Sequence, residues 1–215
     1  MNVSPMDQMI SQQLRTCEVL DDHTLAAIRR VPREQFVPAA WRSMAYADVG
    51  APLPLGKRMW SPTLAGRALQ ALAPQAGADV LEIGTGSGYV SACCATLGAR
   101  VRSLELHAEI AALARRNLHA AGISSVEVLQ ADGLLMNDEQ RFDCIYLTAS
   151  LPLWQTRFQQ ALKVGGRLFV VVGEGSVMRA CLITRRSAEQ FDSSVLFETS
   201  LEVLENAAGT PAFRF

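Results

Sequence analysis

"VLEIGTGSGY", residues 80–89, decides how the rest of the chain is read. Gly84, Gly86 and Gly88 stand in G-x-G-x-G spacing, directly after an apolar run and before a helix-forming one. Glycines let the backbone turn sharply and let a ligand approach main-chain N–H groups with no Cβ in the way. A nicotinamide fingerprint asks for G-x-G-x-x-G, and its third glycine would fall on Tyr89. A phosphate loop of the G-x-x-x-x-G-K-[S/T] type is absent too.

Downstream of residue 79 short apolar strands alternate with helices. "DVLEIG" reads as a buried strand, "SGYVSACCATLG" as a helix, "RVRSLEL" as a strand, and "AEIAALARRNLHAAG" as a helix closed by Gly122. The strands "SVEVLQ" and "FDCIYLTA", the helix "LPLWQTRFQQALK" and the strand "GRLFVVVG" follow. This alternation predicts an α/β fold, a parallel sheet with helices on both faces. The last stretch, "RACLITRRSAEQFDSSVLFETSLEVL", reads as a β-hairpin that supplies an antiparallel edge.

Upstream, "PMDQMISQQLRT" and "DDHTLAAIRRV" are amphipathic helical patterns; Asp21 and Asp22 offer a cap to the second, which stops before Pro32. The stretch "VPREQFVP" and the Pro/Gly-punctuated "GAPLPLGKRMWSP" follow, and a third helix is expected to begin near Pro62, a favoured first-turn residue. The chain thus divides into a helical extension, 1–75, and an α/β unit, 76–215, that together make one compact body. The apolar tail "FRF" is expected to end the chain as a strand or core plug.

Composition narrows the classes of function. The 215 residues suffice for one well-filled core. A net charge of −1 with 19% charged residues gives no electrostatic footprint for nucleic acid and no basic face for anionic lipid. No apolar run approaches a membrane span, and the N-terminus lacks a secretory pattern, so a cytoplasmic protein is expected. Five cysteines without C-x-x-C spacing and three scattered histidines argue for reduced thiols and no metal site.

Three acids fall at successive strand ends. Glu82 precedes the glycine loop by two residues; a carboxylate there repels a pyrophosphate but suits an ammonium or sulfonium charge. Glu105 ends the second strand, where an acid accepts hydrogen bonds from ribose hydroxyls. Asp132 and Gly133 close the third, placed to meet an adenine edge. Singly each is an ordinary loop acid. Their joint placement where open α/β sheets bind ligands describes a site for S-adenosylmethionine.

With these residues the chain resembles the protein-L-isoaspartate O-methyltransferase family. The glycine motif alone indicates only a class I methyltransferase. "QQLR", "AYADV", "RSLEL", "ADG", "FDCIYLTA" and "VGGRLFVVVG" extend the match, and "VPREQFVP" at its distance upstream makes it specific to the family. The resemblance implies a Rossmann-like, mostly parallel seven-stranded sheet with an antiparallel C-terminal hairpin and an N-terminal helical extension. It implies S-adenosyl-L-methionine as donor and S-adenosyl-L-homocysteine as product. The substrate it implies is the α-carboxylate of isoaspartyl residues in damaged proteins. On the cofactor side it places Glu82, Gly84, Thr85, Gly86, Gly88, Glu105, Leu106, Asp132, Gly133 and Met59; Thr148 and Ala149 line the reaction pocket.

One segment departs from the family. Its active-site loop runs roughly Gly-Gln-Thr-Ile-Ser-Gln-Pro, with the serine assigned to the active site. Aligned without a gap on Gly56 and Pro62, Arg58 replaces the threonine, Met59 the isoleucine and Trp60 the serine, while Ser61 is the neighbour that could substitute. "LEVL" (201–204) also lacks the proline of the family's C-terminal segment. Trp60 and Ser61 are therefore the catalytic-position candidates. The alternatives to isoaspartyl methylation are a methyltransferase for another carboxylate or a small apolar substrate, or a catalytically impaired protein that binds S-adenosylmethionine.

Overall fold

A computed structural model of the chain describes residues 3–207. The "FRF" tail, 213–215, lies outside the described residues.

Five residues, Pro5–Met9, form α1, and the same helical turn continues through Ile10–Leu14 and Arg15–Cys17 in wider and tighter hydrogen-bonding patterns. Helix α2 spans Asp22–Arg30, with the Asp21 side chain accepting from the Thr24 N–H. Helix α3, Pro62–Leu72, starts with its proline in the first turn, where the missing N–H costs nothing.

Strand β1 (Asp79–Ile83), α4 (Tyr89–Thr96), β2 (Arg100–Glu105), α5 (Ala108–Ala120), β3 (Val126–Gln130), β4 (Phe142–Leu151), α6 (Thr156–Gln160), β5 (Leu162–Val172), β6 (Met178–Arg185) and β7 (Phe191–Thr199) follow. They make one seven-stranded sheet in the order β3-β2-β1-β4-β5-β6-β7. Its first five strands pair in parallel, and β6 and β7 add antiparallel at the edge. The expected alternation and antiparallel C-terminal edge are both present.

Two expected boundaries move. The helix read over "LPLWQTRFQQALK" shrinks to the five residues of α6, because β4 runs on to Leu151 and Leu162 already pairs with Phe142. Leu162 is fully buried, and over so short a stretch an apolar strand start and a helix end carry the same pattern. The hairpin stops at Thr199. "LEVL" leaves it and crosses to the end of β4, where Val203 bridges Ser150.

The period-2 alternation of the strands splits the core into two layers. Val80, Cys144, Tyr146, Phe169 and Val171 face the layer built with the N-terminal helices, α4 and part of α5. Leu81, Ile83, Ile145, Leu147, Leu168 and Val170 face the other, capped by Phe158 of α6. Met9, Ile10, Leu14, Leu25 and Ile28 of the extension belong to the first layer, so the extension shares its apolar core with the sheet. Glu82 alternates onto that same helix-covered face, which decides its surroundings.

Candidate active site

The chain turns from β1 into α4 through Gly84, Gly86 and Gly88, all at positive φ. Glycine is required most plainly at Gly84. Its φ is +90°, and a Cβ there would meet the Thr148 Oγ1 at 2.2 Å. The Thr148 hydroxyl donates to the Gly84 carbonyl at 2.7 Å and so ties the loop to the end of β4. Gly133 is the second close approach, since a Cβ would come 2.5 Å from Ile83.

A cavity of about 590 Å³ opens at the C-terminal ends of β1 to β4. That is within the usual range for a site of cofactor size, about 300–1,000 Å³. Gly84 and Gly86, Glu105 and Leu106, Asp132 and Gly133, and Thr148 and Ala149 line one side. Met59, Trp60 and Ser61 line the other. Glu82 and Thr85 instead border a smaller cavity of about 30 Å³ beneath the glycine loop, and Gly88 caps α4.

The acids are held for work. Glu105 accepts from the Gly86 N–H at 3.1 Å with one oxygen and from the His107 N–H at 3.1 Å with the other, fixing its carboxylate at the cavity wall. Asp132 accepts from the Leu134 N–H at 2.9 Å and from the Asn206 side chain at 2.9 Å. Glu82 is 1% exposed, and one of its oxygens accepts from the Ser91 and Ser103 hydroxyls. Its other oxygen, Oε1, has no hydrogen-bond partner among the described residues. Burial pushes this carboxyl up to about 7, against the opposing pull of the two serines. A buried, half-satisfied carboxyl under a glycine loop suits a cationic ligand group, since a positive charge would restore what desolvation removes.

The loop opposite spends its polar groups on structure. Trp60 is 6% exposed; its ring meets Phe169 edge-on and tilts against Tyr146. Its indole N–H donates to the Thr148 carbonyl at 2.8 Å, and its own carbonyl accepts from Arg33 at 2.5 Å. Arg33, 1% exposed, lies 5.0 Å from the Tyr89 ring, so the "VPREQFVP" motif braces the loop from beneath. Ser61 caps α3, accepting from the Leu64 N–H at 3.4 Å. Lys57 is 2.5 Å from Glu205 and 3.6 Å from Glu202.

Residues 199–205, between β7 and the described C-terminus, complete the wall. The Ser150 main-chain N–H donates to the Glu202 carbonyl and its carbonyl accepts from the Leu204 N–H, each at 2.8 Å, and Glu205 reaches His107 at 3.0 Å. The resemblance singled out "LEVL" (201–204), but nothing in the local pattern of the sequence signalled its docking against β4 or the partners of Arg33 and Lys57. Among the described residues no cluster of three His, Cys, Asp or Glu is arranged to hold a metal, and no helix is long and apolar enough to cross a membrane.

Comparison with known proteins bears on this site. The family profile described as Protein-L-isoaspartate(D-aspartate) O-methyltransferase matches residues 4–202. The chain belongs to that family. Among the curated members, "Protein-L-isoaspartate O-methyltransferase 2" of Marinobacter nauticus is 38% identical over 205 residues, covering 94% of each chain. The Koribacter versatilis protein-L-isoaspartate O-methyltransferase is 36% identical over 190 residues, 88% of this chain and 85% of its own. The fold matches, with TM-score 0.82 and 18% identity, a Plasmodium falciparum structure described as this methyltransferase with S-adenosyl-L-homocysteine, covering 95% of this chain and 99% of that one. Family membership makes the chain a methyltransferase, and the expected seven-stranded Rossmann-like architecture is the one observed.

Proposed function

We propose that this protein transfers a methyl group from S-adenosylmethionine to the α-carboxylate of L-isoaspartyl residues in proteins or peptides. The observation that carries the reading is the convergence of Gly84, Glu105 and Asp132 on one cavity in a chain of this family. Glu105 is placed to hold the ribose hydroxyls, Asp132 and Gly133 the adenine edge, and Met59 and Leu106 to provide apolar walls. Glu82 would face the cationic end from beneath the loop. When bound, the cofactor supplies a methyl on a positively charged sulfur.

The protein's own part is alignment and exclusion of water. A substrate carboxylate is already the nucleophile, so no side chain has to remove a proton. This fits a loop on which the Trp60 N–H is committed to Thr148 and the Ser61 hydroxyl to a helix cap. Neither is assigned a proton-transfer role. The same commitment supports a second reading, a different carboxylate or small apolar substrate at Trp60; a protein that binds the cofactor without turnover is the third. We place the protein in the cytoplasm, with its described cysteines as free thiols, and propose neither a nucleic-acid nor a membrane partner. The extension 1–75 and the unit 76–215 act as one body in this reading.

Purified protein incubated with labelled donor and an isoaspartyl peptide should yield a base-labile methyl ester, with the matching aspartyl peptide inert. Micromolar S-adenosylhomocysteine binding without turnover would point to the second or third reading.

A further inference from the structure

We infer that Arg58 holds the substrate's carboxylate at the mouth of the cavity. This rests on the carboxylate-methylation reading and adds the side chain that recognises the substrate's charge.

Four carboxylates border the large cavity: Glu105, Asp132, Glu202 and Glu205. An anionic substrate entering among them meets repulsion unless a cation offsets it. Among the described residues the basic side chains that line it are Lys57, Arg58 and the His107 imidazole. Lys57 and His107 both face Glu205, at 2.5 Å and 3.0 Å. Among the described residues Arg58 has no acidic partner. Its Nη1 donates to the Gly50 carbonyl at 3.0 Å, leaving Nη2 and Nε without a protein carboxylate.

The position is fixed as well as free. Arg58 bridges Pro52, and the flanking Met59 N–H donates to the Ala51 carbonyl at 3.0 Å. Gly50 lets the two segments close up, since a Cβ there would come 2.7 Å from the Met59 carbonyl. The tether to Gly50 restrains a long side chain, which reduces the ordering cost of binding an anion. Arg58 also borders the small cavity under Gly84 and Gly86, so it stands between the mouth and the glycine loop.

The other polar groups of the loop are committed to Thr148, to the α3 cap and to Glu205. Arg58 is what remains to meet the substrate. A guanidinium hydrogen-bonded to one carboxylate oxygen leaves the other to form its bond to the methyl carbon. The carbon–sulfur bond breaks with its electrons going to sulfur, and no proton moves. The ester formed is neutral, so the attraction to Arg58 weakens once transfer is done and product leaves more readily.

The test compares Arg58→Ala, Arg58→Gln and Arg58→Lys with wild type, reading isoaspartyl-peptide binding on S-adenosylhomocysteine-loaded protein and turnover with S-adenosylmethionine as donor. Arg58→Ala and Arg58→Gln should weaken peptide binding and raise KM by roughly tenfold or more, with kcat within about threefold, as expected for loss of a charge-assisted contact. Arg58→Lys should fall between. S-adenosylhomocysteine affinity and melting temperature should stay near wild type. Unchanged peptide affinity in Arg58→Ala overturns the inference, as does loss of cofactor binding or folding in all three variants. If wild type binds the peptide in an Arg58-dependent way without turning it over, the isoaspartyl reading fails and the Arg58 assignment stands. If loaded wild type does not bind the peptide, the assignment fails with it.

Discussion

The two walls of the cavity are built differently. On the sheet side, Gly84, Glu105 and Asp132 sit at strand ends with carboxylate oxygens and main-chain groups presented to the cavity. On the loop side, the residues in the family's active-site segment turn their polar groups inward: Trp60 to Thr148, Ser61 to Leu64, Lys57 to Glu205. One wall presents its acids to the cavity, and the other, Arg58 apart, uses its polar groups to hold a shape. Cofactor binding and substrate binding should therefore respond differently to mutation.

The largest break comes from Trp60→Ala. Removing a 6%-exposed indole packed on Phe169 and Tyr146 should cost roughly 4 kcal/mol of stability, read by denaturant unfolding. Trp60→Phe should keep most of the packing and lose about 1 kcal/mol for the missing N–H donor. In both, protein that remains folded should bind S-adenosylhomocysteine within a few-fold of wild type. Abolished binding would mean the walls are not separable.

Glu82→Gln probes what lies beneath the sheet-side wall, under the glycine loop. A carboxyl moved from 4.5 to about 7 binds its proton more tightly in the folded state, so its contribution is full below the unfolded value and fades as pH rises through 7. That contribution corresponds to about 3 kcal/mol. In cofactor-free protein Glu82→Gln should gain up to that amount over wild type above pH 7 and nothing near pH 4. Its S-adenosylmethionine affinity should fall by about tenfold or more, because the neutral amide cannot face a cation. Equal stability curves would contradict a proton held in the free protein.

Gly84→Ala should cost about 2 kcal/mol, from a positive φ and the approach to Thr148, and should show as weaker cofactor binding by calorimetry. Smallest is Ser61→Ala, expected to cost about 1 kcal/mol through the lost α3 cap, with Ser61→Gly milder and turnover little changed. A large loss of kcat in Ser61→Ala at unchanged stability would return that hydroxyl to catalysis.

Much of the sheet side is legible in the sequence. A strand of period 2, a glycine loop and an acid at a strand end are local patterns, and their order along the chain puts Gly84, Glu105 and Asp132 at neighbouring strand ends. The misread helix at 151–163 shows the limit of the same logic. There a buried strand start and a helix end share one apolar pattern, and only pairing with Phe142 separates them.

The sequence by itself determined the parallel sheet and the residues at its strand ends, because these follow from spacing along the chain, and its motifs carried the resemblance to the family. Tertiary structure alone decided which charges and hydroxyls are left over. Trp60 meets Thr148, Lys57 meets Glu205 and Glu82 meets Ser103 across long sequence separations. Whether a polar group is available depends on what folding brings within about 3 Å of it, and no local pattern encodes that.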